Sequence, residues 1–224
     1  LQLCAEDNMQ VVNLTTPSNY FHVLRRQMRR EFRKPLIIMT PKSLLRHKRC
    51  VSTLSEMEIG TTFHRVLWDD RHWTKELDKD ENIRRVVLCS GKVYYDLAEE
   101  RDKRGLKDIF IMRVEQLYPF PQKALTTDLA RFKNADVVWC QEEPRNMGAW
   151  FFIRERVENV LEEIGAKSDR VQYIGRPEAA SPATGSLRRH TMEQEKLVDE
   201  ALTLPPKRPA RKTPAKKPAR KRRS

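Results

Sequence analysis

Three polar segments could bring reactive side chains to one edge of a sheet. Residues 90–96 (SGKVYYD), 114–121 (VEQLYPFP) and 139–144 (WCQEEP) each follow or close an apolar, strand-like run. Loops beyond the carboxyl ends of parallel strands share one edge of an open α/β sheet, so we expect these segments to meet. The SGK turn could present backbone N–H groups to an anion, and the two glutamates of WCQEEP could act as general acid and base. A plain strand-to-helix turn is an equal alternative for SGK, and for the glutamates we favour a structural role, as a helix cap or a loop contact.

The other reactive side chains show no arrangement that would support catalysis by this sequence alone. It contains no Gly-rich phosphate loop, no nucleophile elbow and no HExxH motif. The five histidines are scattered, which argues against a metal cluster. The four cysteines form no CxxC pair, so we predict a reducing compartment with neither a disulfide framework nor structural zinc. We therefore assign no catalytic residue.

Alternating strand and helix patterns would position the polar segments. Residues 1–40 show an apolar run, a helical pattern over 18–33 and a second apolar run, which together predict one βαβ unit and a parallel sheet. Residues 41–82 are irregular and charged, with a short strand near 63–67. From residue 84 to residue 202 strands and helices alternate again, which predicts a three-layer α/β domain.

The helical pattern over residues 18–33 has two distinct faces. Phe21, Leu24 and Met28 recur at helical spacing and give one apolar face. Five arginines occupy the other face. In most proteins such a basic face is simply solvated, and contact with a nucleotide or another subunit is the alternative.

The excess positive charge lies in the last twenty residues. The net charge is +13, but residues 205–224 hold ten Lys or Arg and no acid, which leaves the body nearly balanced. This Pro/Ala/Lys/Arg composition cannot bury a core, so we predict a disordered tail. The tail is solvated, contacts acidic surfaces of partner proteins, or binds nucleic acid non-specifically; it has no aromatic residue for base stacking.

Neither a membrane span nor a secretory signal is predicted. The longest apolar runs have about four or five residues, too few to cross a bilayer. The first residues, LQLCAED, turn acidic at once, unlike a signal peptide. Because no Met stands at the start, we expect the chain to begin inside a longer one.

The strand-end segments, together with residues 5–10 (AEDNMQ) and 41–47 (PKSLLRH), resemble a known family. They are similar, in the family's order and from residue 1 to about residue 202, to the carboxy-terminal region of the thiamine-dependent first component of the 2-oxoglutarate dehydrogenase complex. The resemblance implies a mixed, mostly parallel sheet between helices. The implied divisions are the end of a pyrimidine-side thiamine-binding domain at 1–47, a connector at 48–83, a transketolase-type carboxy-terminal domain at 84–204 and the basic tail at 205–224.

The resemblance also implies an activity and partners. The family decarboxylates 2-oxoglutarate oxidatively in the tricarboxylic acid cycle, with thiamine diphosphate as electron sink, and transfers the succinyl group to a lipoyl group. The cofactor motif for thiamine diphosphate and Mg²⁺ would lie upstream of Leu1, so this fragment alone should be inactive. Implied partners are a second copy in a homodimer, the lipoyl-bearing succinyltransferase component and dihydrolipoyl dehydrogenase. The implied location is the bacterial cytosol, or the mitochondrial matrix in a eukaryote.

Two other functions stay open at this point. One is a related 2-oxoacid dehydrogenase component that acts on a longer diacid, because the substrate-reading residues would lie upstream. The other is a non-catalytic module in which the α/β domain and the basic tail bind a nucleotide or nucleic acid.

Some members of the family carry an acetyl-CoA activator site in this region. Arg26 and Lys123 could hold phosphates, and Gln116 could hydrogen-bond an amide or a ring edge. The sequence departs from the family's pattern at Gln10, which replaces a smaller hydroxyl residue, and at Thr62, which replaces a basic one; Ala124 also stands where a second basic residue occurs. The residues onto which the family's site falls are Gln10, Arg26, Thr62, Arg65, Gln116 and Lys123.

Overall fold

A computed structural model describes residues 1–69 and 77–204 of the chain. Part of the predicted connector, residues 70–76, and the predicted tail, residues 205–224, lie outside the described residues. The strands are β1 (Gln10–Asn13), β2 (Leu36–Met39), β3 (Val66–Leu67), β4 (Arg85–Cys89), β5 (Ile109–Val114), β6 (Gln116–Tyr118), β7 (Asp136–Pro144) and β8 (Gln172–Arg176). The α-helices are α1 (Pro17–Arg29), α2 (Val93–Arg104), α3 (Gln122–Leu129), α4 (Trp150–Glu163) and α5 (Leu187–Leu202).

The larger sheet has five strands in the order β3-β5-β4-β7-β8. Strands β5, β4, β7 and β8 run parallel, and the short β3 pairs antiparallel with β5 at one edge. Crossover helices between parallel strands place helical layers on both faces of such a sheet. The predicted α/β class with a mixed, mostly parallel sheet is confirmed.

Each face of this sheet packs on its own pair of helices. Along β4, Val86 and Leu88 belong to the core that also includes α3 and α4 residues. Val87 and Cys89 point to the opposite face, which packs against α2 and α5. All five residues of β4 are buried, as expected for the central strand of a covered parallel sheet. The sheet is therefore the middle of three layers, with one core and one layer of helices on each of its faces.

A second, three-stranded sheet joins the amino-terminal segment to residues 116–118 in the middle of the chain. Strands β1 and β2 are parallel, which confirms the predicted βαβ unit, and β6 pairs antiparallel with β1. The sequence predicts a loop for the residues of β6, and the structure shows a strand. Because β5 and β6 are separated by Glu115 alone, the two sheets are connected at this residue.

Helix α1 begins one residue before the predicted start and ends four residues before the predicted end. The Thr16 side chain accepts the first-turn N–H of Asn19 at 3.3 Å, and Pro17 follows as the first helical residue. Arg30 is already extended. Arginines three and four residues apart repel one another at this end, which weakens the last predicted turn.

The apolar face of α1 is not its buried face. Phe21, Leu24 and Met28 are 41%, 45% and 75% exposed, respectively. The buried side carries mainly polar residues, among them Asn19 and His22, and faces the connector and the end of β5. The contact between the amino-terminal segment (residues 1–47) and the larger domain (residues 84–204), which we call the seam, is therefore polar.

The predicted connector contains two short 3₁₀ turns and β3 in its described part. The turns span Leu54–Met57 and Asp80–Asn82, and β3 falls inside the expected strand near residues 63–67. The predicted domain limits stay predictions. No helix in the described ranges is both long and apolar enough to cross a membrane.

Candidate functional site

The three polar segments meet at the carboxyl edge of the larger sheet, as predicted. The Ser90 hydroxyl, after β4, donates to the carbonyl oxygen of Val114, at the end of β5, over 2.9 Å. The Lys92 ammonium forms an ion pair with the Glu142 carboxylate, at the end of β7. The first glutamate of the pair thus holds two loops together, which supports the structural interpretation over general acid–base chemistry.

Gln141 orders the loop between β7 and α4. Its amide oxygen accepts the indole N–H of Trp139 at 2.9 Å and the backbone N–H groups of Ala149 and Trp150 at 3.2 and 3.0 Å. Its amide nitrogen lies within hydrogen-bond distance of two backbone carbonyls at the end of β7 and of the Met147 carbonyl in the loop, which is nearest at 2.9 Å. Sequence analysis missed this role because partners up to nine residues away leave no local pattern.

The SGK turn brings the two sheets into contact. Gly91 has φ +77°, and a Cβ at this position would lie only 2.6 Å from the Asn13 side-chain nitrogen. Asn13 ends β1. Glycine is therefore needed here both for its left-handed backbone and for the close approach of the smaller sheet.

The four cysteines are free thiols, and the two in strands are fully covered. Cys89 and Cys140 are register partners in the adjacent parallel strands β4 and β7. Burial raises the pKa of both thiols well above its usual value. Since the thiolate is the nucleophile, neither is suited to nucleophilic chemistry.

Three of the six predicted effector residues are in direct contact. One guanidinium nitrogen of Arg26 donates to the side-chain oxygen of Gln10 at 2.8 Å and to that of Gln116 at 2.9 Å. Arg26 also stacks on Phe63, with its guanidinium carbon 4.0 Å from the ring centroid. The cluster spans the seam, because Gln10 lies in β1, Arg26 in α1 and Gln116 in β6.

Positive charge accumulates around this cluster. Burial, followed by the charges of Arg30 and Arg65, lowers the pKa of Arg26 to about 9. Burial and the charge of Arg65 also lower the pKa of Arg30. Within residues 1–69 and 77–204, none of these three arginines forms an ion pair with a carboxylate. A bound anion would relieve this repulsion.

Two more predicted residues line a neighbouring cavity. Thr62 and Arg65 belong to the wall of a cavity of about 670 Å³, together with Phe63 and Ala124. Lys123 lies on the exposed side of α3 next to Ala124. The part of the chain described here shows no hydrogen bond or ion pair of the Lys123 side chain to the other five residues.

The described residues offer no centre for a divalent metal. Among them, no three His, Cys, Asp or Glu side chains are grouped closely enough to hold one. The amino-terminal segment does provide an apolar cleft of about 460 Å³ at the carboxyl ends of β1 and β2, lined in part by Leu14, Pro17, Tyr20 and Met39. An aromatic ring fits such a cleft, but the described residues do not fit a magnesium-bound diphosphate.

Comparison with known families accounts for nearly all of the described chain. Residues 51–202 match the family described as 2-oxoglutarate dehydrogenase C-terminal, and residues 1–48 match the transketolase pyrimidine binding domain. This chain belongs to the 2-oxoglutarate dehydrogenase C-terminal family. The change from one match to the next, between residues 48 and 51, lies at the start of the predicted connector.

Individual relatives of this family are close in sequence. Proteins named 2-oxoglutarate dehydrogenase E1 component from Brucella ovis, Brucella canis and Brucella suis are each 64% identical to the chain over 206 residues. The alignment covers 90% of this chain and 20% of each relative. The chain thus spans about a fifth of the length of these relatives.

Proposed function

We propose that this chain is the carboxy-terminal part of a 2-oxoglutarate dehydrogenase of the succinyl-transferring type. The observation that carries the proposal is the 64% identity to proteins of that name over 90% of the chain. In the complete enzyme, thiamine diphosphate would supply the electron sink for decarboxylation of 2-oxoglutarate. The diphosphate and its Mg²⁺ would be held outside the residues described here, and this segment would contribute the apolar cleft and the domain packed against it.

The assay compares this chain with the complete enzyme. Each is supplied with thiamine diphosphate, Mg²⁺ and 2-oxoglutarate, and reduction of an artificial electron acceptor is followed. We expect turnover by the complete enzyme and none by residues 1–224 alone; turnover by the fragment would contradict the proposal. A parallel series with a 2-oxo diacid one carbon longer distinguishes the related enzyme, which would show the higher kcat/KM with that acid.

The proposed setting is a homodimer in the cytosol of a bacterium, or in the mitochondrial matrix of a eukaryote, working within the tricarboxylic acid cycle. The proposed partners are the lipoyl-bearing succinyltransferase component and dihydrolipoyl dehydrogenase. The four free thiols support a reducing compartment. Sedimentation of the complete enzyme alone and with each partner component tests the assembly.

We further propose that acetyl-CoA binds at the seam. Three observations support it: the contact of Arg26 with Gln10 and Gln116, the unneutralised charge of Arg30 and Arg65, and the adjacent cavity of about 670 Å³. An arginine guanidinium can bind two phosphate oxygens at once. The phosphates of acetyl-CoA would therefore bind to the arginines, and the rest of the acetyl-CoA molecule would lie in the cavity.

Titration calorimetry on the complete enzyme tests the effector site. Acetyl-CoA, CoA and inorganic pyrophosphate are titrated separately, and the 2-oxoglutarate response is measured at each acetyl-CoA concentration. Arg26→Met should weaken binding at least about tenfold, because a charge-assisted hydrogen bond contributes about 1.5–3 kcal/mol. Arg29→Met is the matched control, since Arg29 is exposed on the same helix. A flat titration with the unaltered enzyme would rule out the site.

The basic tail supports a second candidate function, in which residues 205–224 attract acidic protein surfaces or nucleic acid. Ten basic residues without an acid would release counterions from phosphates. Gel shifts at low and moderate salt, with and without residues 205–224, measure the tail's share. Binding that survives the deletion would exclude a tail-driven role.

A further inference from the structure

Thr15 lies in the turn between β1 and α1, and each of its polar atoms is hydrogen-bonded to residues outside this turn and the two elements it connects. Its backbone N–H and its hydroxyl donate to the two carboxylate oxygens of Glu115, at 2.9 and 2.5 Å. The same hydroxyl accepts from Arg113 at 3.1 Å. Its carbonyl oxygen accepts from the Tyr95 hydroxyl at 2.5 Å and from the Cys50 thiol at 3.2 Å.

Glu115 holds the far side of the same turn. Its carboxylate accepts a third hydrogen bond, from the Asn19 side chain in α1, at 3.0 Å. Its backbone carbonyl accepts the N–H of Asn13 at 2.8 Å, and its N–H donates to the carbonyl of Arg65 at 3.0 Å. The residue is fully buried. Glu115 therefore contacts both ends of the turn between β1 and α1, the β1 end through its backbone carbonyl and the α1 end through its side chain.

Burying these hydrogen-bonded polar groups costs free energy, which suggests that the exact position of the turn is important. A buried carboxylate and a buried guanidinium each lose several kcal/mol of hydration, and apolar packing joins two domains without that cost. Hydrogen bonds are directional, whereas apolar contacts are not, so this polar cluster fixes the turn's geometry rather than merely its proximity.

The turn also forms part of the cleft wall. Leu14, Thr15 and Pro17 line the cleft of about 460 Å³ from the β1 side, and Met39 lines it from the end of β2. In open α/β sheets, ligands bind beyond the carboxyl ends of the strands. A small displacement of this turn would therefore change the shape of the cleft.

We propose that Thr15 and Glu115 are positioning residues for the thiamine-dependent reaction. Through them the carboxy-terminal domain sets the turn between β1 and α1, and with it one wall of the cleft, in the productive geometry. This inference rests on the proposed function of the complete enzyme. Neither side chain needs to touch the reacting atoms.

The test uses Thr15→Val and Thr15→Ser in the complete enzyme. Valine keeps the volume and removes the hydroxyl that both Glu115 and Arg113 contact, while serine keeps the hydroxyl and is the matched control. The readouts are hydrogen exchange of the amides in residues 13–19, kcat, KM for 2-oxoglutarate and Tm. We expect Thr15→Val to raise exchange in this turn and lower kcat, each by about tenfold, with KM within about twofold. Thr15→Ser should stay near the unaltered enzyme.

A purely structural role predicts a different pattern. It would lower Tm in Thr15→Val but leave kcat of the folded enzyme, and exchange within the turn, equal to those of Thr15→Ser; that result overturns the proposal. If Thr15→Val does not fold, Tyr95→Phe removes only one hydroxyl donor and should give a smaller change in the same direction. If the complete enzyme does not act on 2-oxoglutarate, the proposed function fails. Hydrogen exchange of the amides in residues 13–19 still decides whether Thr15 positions the turn.

Discussion

Removing the Arg101 side chain from α2 should destabilise the fold more than removing that of Arg104, the exposed arginine of the same helix. The Arg101 guanidinium lies 2.6 Å from the Asp69 carboxylate, and their side chains are 0% and 4% exposed, respectively. Asp69 also accepts the backbone N–H of Ile111, in β5, at 2.8 Å. In Arg101→Met, Asp69 would remain buried without its ion-pair partner.

The expected cost follows from that burial. Breaking a buried ion pair by removing one partner costs about 3–5 kcal/mol, which for a domain of this size lowers Tm by roughly 6–20 °C. Arg104→Met is the control, because Arg104 forms only partly exposed pairs with Glu100 and Asp199. Such pairs contribute about 0–1 kcal/mol.

The effect should also depend on pH. Burial already raises the pKa of Asp69, and loss of the neighbouring Arg101 charge would raise it further. Above the ordinary carboxyl pKa the folded state then binds more protons than the unfolded state, so stability falls as pH rises through that window. The gap between the unaltered chain and Arg101→Met should therefore narrow from pH 7 to pH 5. Thermal unfolding at both values measures it; a Tm loss no larger than that of Arg104→Met, or a gap that widens on acidification, would refute the argument.

Three further predictions concern the same domain. Gln141→Leu leaves the buried N–H of Ala149 and two other donors without an acceptor, and should cost about 2–4 kcal/mol in urea unfolding followed by tryptophan fluorescence. Arg85→Met removes the side chain that donates to three carbonyls at the end of α5. Amide hydrogen exchange should therefore increase in α5 earlier than it does in the sheet. Cys89 and Cys140 should resist alkylation at pH 8 in the native protein and react in urea, as followed by mass spectrometry, because burial raises the pKa of both.

The larger sheet could be predicted because its signals are local. The run RVVLC predicts β4 at its observed limits, since it is apolar and bounded by the SG turn. Gly105 predicts the end of α2 and takes the left-handed conformation there, with φ +66°. The apolar run ADVVWC predicts a strand that ends at Cys140, but β7 extends to Pro144, because pairing with β8 continues past Gln141 through an irregular register.

The seam could not be predicted, because its contacts join residues far apart in the sequence. Thr15 and Glu115 are 100 residues apart, and Arg26 and Gln116 are 90 residues apart. The resemblance named Arg26 and Gln116 as site residues without indicating that they touch. Nothing in the local pattern of VEQL identifies its glutamate as a buried acceptor, and nothing local separates β6 from a loop.

The orientation of α1 links these observations. Spacing alone assigns Phe21, Leu24 and Met28 to one face, but which face is buried depends on what the helix packs against. Here the polar face meets the larger domain, so Asn19 and Arg26 reach the end of β5 and β6. The proposed effector contacts and the turn before α1 therefore belong to one row of hydrogen bonds between α1 and the larger domain. A ligand that drew Arg26 toward its phosphates would act on α1, which follows the turn at Thr15, and this would give the proposed effector a physical route to the cleft.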